Sequence, residues 1–181
     1  FLGGGVPPEV EVLRAACEDP LVPVEIQGRS YSRETSHRDL LRLPLTDGLE
    51  GFVALTDPAF PGQRAGITFD AAEYGVVLQR LVLPVAPPQL QAPSIPLPIR
   101  IFIDSDRLPT NASRSIVRTD ESPVREAVEM GTALIEKLIE SAVTRCLDEA
   151  TAEPYRAKLR AALLHALAWN QSRRGDAGTP H

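Results

Sequence analysis

Cysteine and lysine are both scarce in this sequence. Cys17 and Cys146 are its two cysteines, far apart and without companions, which excludes a disulfide framework or a metal knuckle and leaves each thiol as a small buried apolar group. Lys137 and Lys158 are its two lysines, both in stretches of helical periodicity. No apolar run approaches the roughly 18 residues that a membrane span requires. A net charge of -5 gives no electrostatic reason to expect nucleic acid or an anionic membrane as partner. Signatures of a complete active site are missing too: there is no Gly-x-x-x-x-Gly-Lys-Ser/Thr loop, no Gly-x-Gly-x-x-Gly after a strand, and no His, Cys and acidic cluster at metal-ligand spacing. His37 stands beside Arg38 and Asp39 without a nucleophile motif and reads as a solvated loop residue. Phe1-Leu-Gly-Gly-Gly5 has neither the basic start nor the apolar length of a secretion signal, and we expect the chain to be a fragment of a longer protein.

What is present is an ordinary globular composition, 181 residues with 43% hydrophobic and 24% charged, long enough for one domain with a real core. Pro7-Pro8-Glu9 predicts the start of a short helix that Asp19-Pro20 ends, and Leu21 to Ile26 an edge strand turned by Gln27-Gly28-Arg29. The aperiodic stretch 29–39 reads as a linker. Leu40 to Leu45 and Gly51 to Leu55 read as strands around Asp47-Gly48, and Ile67-Thr-Phe69 and Val76 to Leu83 as a hairpin around Asp70 to Gly75. Six of the seventeen prolines fall in 84–98, which favours an extended, stiff connection between two strands.

Ser122 can cap the next helix with Pro123 in its first turn. A broad apolar stripe of Val124, Ala127, Val128, Leu134, Ile135, Leu138, Ile139, Ala142, Val143 and Cys146 follows. Tyr155, Leu159, Ala162, Leu163, Ala166 and Trp169 mark a second helix, with His165 at its core edge, and the residues after Asn170 read as a frayed tail. Together these elements predict an α+β domain in which a mixed sheet of about four or five strands is covered by two C-terminal helices.

The stretch Ile101 to Ser115 has the strongest chemical character. Ile101-Phe-Ile103 reads as a buried strand that Asp104, Ser105 and Asp106 stop, and Leu108-Pro109 stiffens the exit. Asn111 to Ser115 can fold amide and hydroxyl groups onto their own backbone, bracing a loop that presents Arg107, Arg114 and Arg118. An arginine on such a loop suits phosphate, whose oxygens meet its planar fork in two bonds at once. On residues alone, a loop arginine paired with a nearby carboxylate is the commoner outcome.

The string Ile103-Asp-Ser-Asp-Arg-Leu-Pro-Thr-Asn-Ala-Ser-Arg-Ser115 resembles the catalytic loop in the middle domain of the heat-shock protein 90 family. The matching positions are Asp104, Ser105, Asp106, Leu108, Pro109, Asn111, Ser113 and Arg114, with weaker echoes at Gly66 to Phe69 and Val76 to Leu83. Arg107 replaces an acidic residue of the family pattern, Thr110 an apolar one, and Arg118 a glutamine. The resemblance implies a left-handed β-α-β crossover fold like domain 2 of ribosomal protein S5. It implies that Arg114 reaches the γ-phosphate of ATP, held with magnesium by a separate upstream domain, while Asn111 and Ser113 support the loop and Arg118 and Arg107 are auxiliary. This fragment alone would bind no cofactor.

The partners implied are the ATP-binding domain of the same protein, client proteins and a second copy of the chain, with no nucleic acid or membrane, in the cytoplasm. Related ATPases of mismatch repair use a lysine from the second domain, and both lysines here fall on helices. The expected division is 1–28 as a helix and strand remnant of the upstream domain, 29–39 as linker, 40–171 as transducer domain and 172–181 as a disordered tail. Two other readings stand beside this one: a free-standing interaction module using the proline segment and outer helix face, and an RNA-binding domain, which the acidic balance disfavours.

Overall fold

The computed structural model describes residues 10, 12–13, 17, 23–31, 39–59, 67–83, 98–111 and 116–176; for Arg29, Tyr31 and residues 169–176 it describes the backbone alone. The proline segment 84–97 and His37 lie outside the described residues.

Three two-residue turns set the strands. Gln27-Gly28, Asp47-Gly48 and Tyr74-Gly75 all have positive φ, between 52° and 79°, the conformation whose twist matches that of antiparallel strands. The first turn joins β1 (Val24–Ile26) to β2 (Arg29–Tyr31) in a two-stranded sheet of their own. Part of the expected linker is therefore a strand, and the next element starts at Asp39. The second turn lies between β3 (Asp39–Pro44) and β4 (Gly51–Thr56), where the Leu49 N–H donates to the Thr46 carbonyl at 3.2 Å. The third joins β5 (Ile67–Glu73) to β6 (Val76–Leu83), so Asp70 to Glu73, expected in the turn, belongs to a strand.

With β7 (Ile99–Asp104), the larger sheet has the order β3-β4-β7-β5-β6. Every neighbour pair is antiparallel except β5 with β7. Gly51 permits the close β4–β7 approach, since a Cβ there would lie 2.3 Å from the Phe102 carbonyl oxygen.

The sheet has two chemically different faces. Val53 and Leu55 of β4, Ile67, Phe69 and Ala71 of β5, and Ile99, Ile101 and Ile103 of β7 form one apolar core with buried residues of the helices. Alternation sends Phe52, Ala54, Ala72 and Phe102 to the other face, where they form a second cluster.

The helical layer comprises α1 (Val124–Ala133), α2 (Ile135–Leu147) and α3 (Glu153–Asp176). The expected pair of helices is thus three, because the first interrupts at Leu134. Gly131 and Thr132 precede the interruption, and the Thr132 hydroxyl donates to the Val128 carbonyl at 2.7 Å, a back-bond that bends helices. Gly131 is tightly seated: a Cβ there would lie 2.8 Å from Cδ1 of Ile101. Val124, Ala127, Leu138 and Ala142 are buried as the stripe predicts, whereas Val143 is exposed.

Pro123 is the cap residue of α1, without a side-chain cap bond, and Ser122 instead donates to Glu126 at 2.7 Å. α3 runs to Asp176, into the stretch expected as tail, because nothing from Asn170 to Arg174 breaks a helix. All three helices follow the last strand, so the described residues contain no strand-helix-strand crossover. Among the described residues, no helix is long and apolar enough to cross a membrane.

Candidate functional site

Chemistry-bearing side chains gather at the end of β7 and across the sheet's second face. At the end of β7, Ile103 and Asp104 are still buried. The Asp104 N–H donates to the Glu50 carbonyl at 2.8 Å and the Ser105 N–H to the Ala72 carbonyl at 2.9 Å, which ties the strand end to both neighbours. The Ser105 hydroxyl oxygen then accepts from the Arg107 N–H at 3.0 Å, a local serine turn that redirects the chain. Arg107 points to solvent, its side chain 89% exposed and 4.0 Å from Asp106.

The chain next closes on itself. The Arg118 N–H donates to the Pro109 carbonyl at 2.7 Å, the Asn111 N–H to the Ile116 carbonyl at 3.0 Å, and Thr110 bridges Val117. Asn111 Oδ1 accepts from the Ile116 N–H at 3.1 Å, and the Val117 N–H donates to the Gln79 side chain on β6. Asn111 thus holds both its own backbone and its side chain on the far arm of the loop. Ser113 and Arg114 lie outside the described residues, in the interval 112–115 between these pinned ends. Arg118 is described and meets Glu121 at 2.6 Å in solvent; that hydrogen bond, then the Glu121 charge, raises its pKa further above the ordinary arginine value.

A cleft of about 740 Å³ opens beside the strand end, walled by Glu50, Tyr74, Asp104, Asp106 and Arg107 and by Ser122-Pro123 at the start of α1. The turn 46–49 is fixed to α1 from behind, since the Thr46 N–H donates to the Met130 sulfur at 3.1 Å. Of the two lysines, Lys158 on α3 pairs with Asp57 at 2.9 Å, and Lys137 is exposed on α2. Among the described residues, no group of three or more His, Cys, Asp or Glu side chains is placed to hold a metal ion.

The second face carries an ion-pair row that the sequence pattern did not reveal. Arg42 on β3 donates to Asp39 at 2.9 Å. Arg100 on β7 spans two carboxylates, Asp39 at 3.1 Å and Asp70 of β5 at 2.7 Å, and Arg80 on β6 donates to both oxygens of Asp70 at 2.7 and 3.0 Å. The side chains of Asp39, Asp70 and Arg100 are fully buried. Phe52 and Phe102 stack at 4.9 Å, and the guanidiniums of Arg42 and Arg100 lie 4.3 and 5.1 Å from the Phe52 and Phe102 ring centres. The available signal was a charge at an alternate position inside an apolar run, as with Arg100 between Ile99 and Ile101. No protein-family model matches this sequence, and no curated protein matches it.

Proposed function

We propose that the chain is the middle, transducer segment of a heat-shock protein 90-like, ATP-dependent chaperone. In this role it supplies Arg114 to the γ-phosphate of ATP bound by a separate upstream domain. The observation that carries this is the double clasp of the 109–118 loop: Asn111 bonds Ile116 through backbone and side chain alike, at 3.0 and 3.1 Å. The residues on either side, 109–111 and 116–118, thus form a closed base, the kind of support from which a loop arginine is directed at developing phosphate charge.

Magnesium-ATP belongs to the upstream domain, and the chemistry asked of this chain is one cation delivered from outside that site. Arg118 and Arg107 stand at either end of the loop as auxiliary cations, Arg118 with Glu121 as counter-charge. For the finer fold we infer a relative of the ribosomal protein S5 domain 2-like arrangement in which the described helices follow the sheet, so its left-handed β-α-β crossover is not carried over. It is supported by a mixed sheet with one parallel pair and a helical layer packed on one face.

Replacing Arg114 by alanine in the full-length protein tests the assignment. An arginine supplied across domains contributes on the order of 10³- to 10⁵-fold to phosphoryl transfer elsewhere, so ATP turnover falls by at least about a hundredfold while ATP still binds. Turnover at the wild-type rate would sink the assignment.

A further inference from the structure

We propose that the outer edge of β6 takes up an extended peptide as an added strand, with a basic side chain of that peptide seated between Glu73 and Asp106. β6 is eight residues long and stands at the end of the sheet order. It contains no proline, no lysine and no acidic residue, and its single charge, Arg80, is taken up by Asp70. Such an edge keeps the pairing capacity that proteins usually blunt. Val76 is 38% and Leu78 42% exposed, and Tyr74 in the adjoining turn is 66% exposed, so an incoming strand meets apolar side chains as well as backbone groups.

The opposite edge shows what blunting looks like here. β3 is six residues long, begins at Asp39 and ends at Pro44, which has no N–H to offer. The Tyr155 hydroxyl donates to the Leu40 carbonyl, and α2 and α3 both pack against this strand. No described residue pairs with the outer edge of β6.

Charge selects the occupant. A recess of about 90 Å³ sits beside the first half of β6, lined by Glu73, Asp106, Leu78, Leu108 and Thr110. Two carboxylates over an apolar floor accept a methylene stem ending in a cation and repel an acidic strand. The described cation nearest Asp106 is Arg107, at 4.0 Å and mostly in solvent, which leaves the recess open to a tighter partner. The ATP reading is not needed for this surface, and the two fail separately.

The test uses a fluorescein-labelled ten-residue peptide of alternating valine and threonine with one lysine near its end, titrated with the chain and followed by anisotropy. The probe binds and slows amide exchange over residues 76–83. Changing its lysine to glutamate, or the chain to Glu73→Gln with Asp106→Asn, weakens binding about two- to fivefold, as expected for a partly exposed ion pair. A probe with two central prolines does not bind. Leu78→Lys, at an exposed position, places a competing cation at the recess and also weakens the probe. Equal binding of the proline probe, indifference to the lysine-to-glutamate exchange, or self-association of the chain that Leu78→Lys abolishes would each overturn the proposal.

Discussion

The two faces of the five-stranded sheet are buried by opposite means. The helix-covered face is built on apolar side chains, with Val53, Leu55, Phe69, Ile101 and Ile103 each fully buried. The other face places Arg42, Asp39, Arg100, Asp70 and Arg80 in an alternating row from β3 to β6. Apolar packing is non-directional and tolerates exchanges that conserve volume. A buried ion-pair row is directional, and each charge depends on its neighbour remaining in place. The first face thus supplies cohesion to the domain. The second fixes which strand lies beside which, since Arg100 reaches its carboxylates only when β7 sits between β4 and β5.

The largest predicted difference comes from breaking the row at its centre. Arg100→Met leaves Asp39 and Asp70 as buried carboxylates facing the gap and costs about 3–5 kcal/mol in urea unfolding. The triple exchange Asp39→Val, Asp70→Val, Arg100→Met recovers most of that loss, because Arg42 and Arg80, whose side chains are 28% and 33% exposed, reach water. If the single exchange cost no more than a surface substitution, the contrast between the faces would collapse. Next in size is Ile101→Val on the apolar face, expected to cost about 0.5–1.5 kcal/mol in the same unfolding experiment by removing one buried methylene.

Smallest is Glu153→Gln at the start of α3. Glu153 accepts from Arg160 and Arg156, and these bonds lower its pKa below the ordinary carboxylate value. A lowered folded-state pKa gives stability that is present above the unfolded value of about 4.3 and is lost as pH falls through the folded one. The wild-type and Glu153→Gln melting temperatures therefore differ slightly at neutral pH and converge in acid, a change that should be measurable only at low salt because the pair is exposed.

Local chemistry was legible in the sequence, and long-range chemistry was not. Asp47-Gly48 announced a turn, and the structure shows both residues at positive φ. Asn111 announced a self-bonded loop, and its carbonyl accepts from Ile116, five residues on. The stripe on the first long helix announced Val124, Ala127, Leu138 and Ala142 as core.

The ion-pair row was invisible because its partners lie 30 and 61 residues apart, on strands whose adjacency depends on sheet order. Asp70 was read as a turn residue for the same reason: an aspartate in isolation favours turns, and only Arg80 and Arg100 make it tolerable inside a strand. The split at Leu134 escaped notice because apolar periodicity continues through it.

The role proposed for Arg114, between β7 and α1, is open to a direct test. Steady-state hydrolysis of ATP by the full-length protein, with Arg114→Ala set beside Arg107→Ala, tests it most directly. Arg114→Ala is expected to lower kcat by at least about a hundredfold with little change in KM, as for a group acting on the transition state rather than on bound substrate, and Arg107→Ala to have a far smaller effect. Equal, minor losses in the two variants would contradict it.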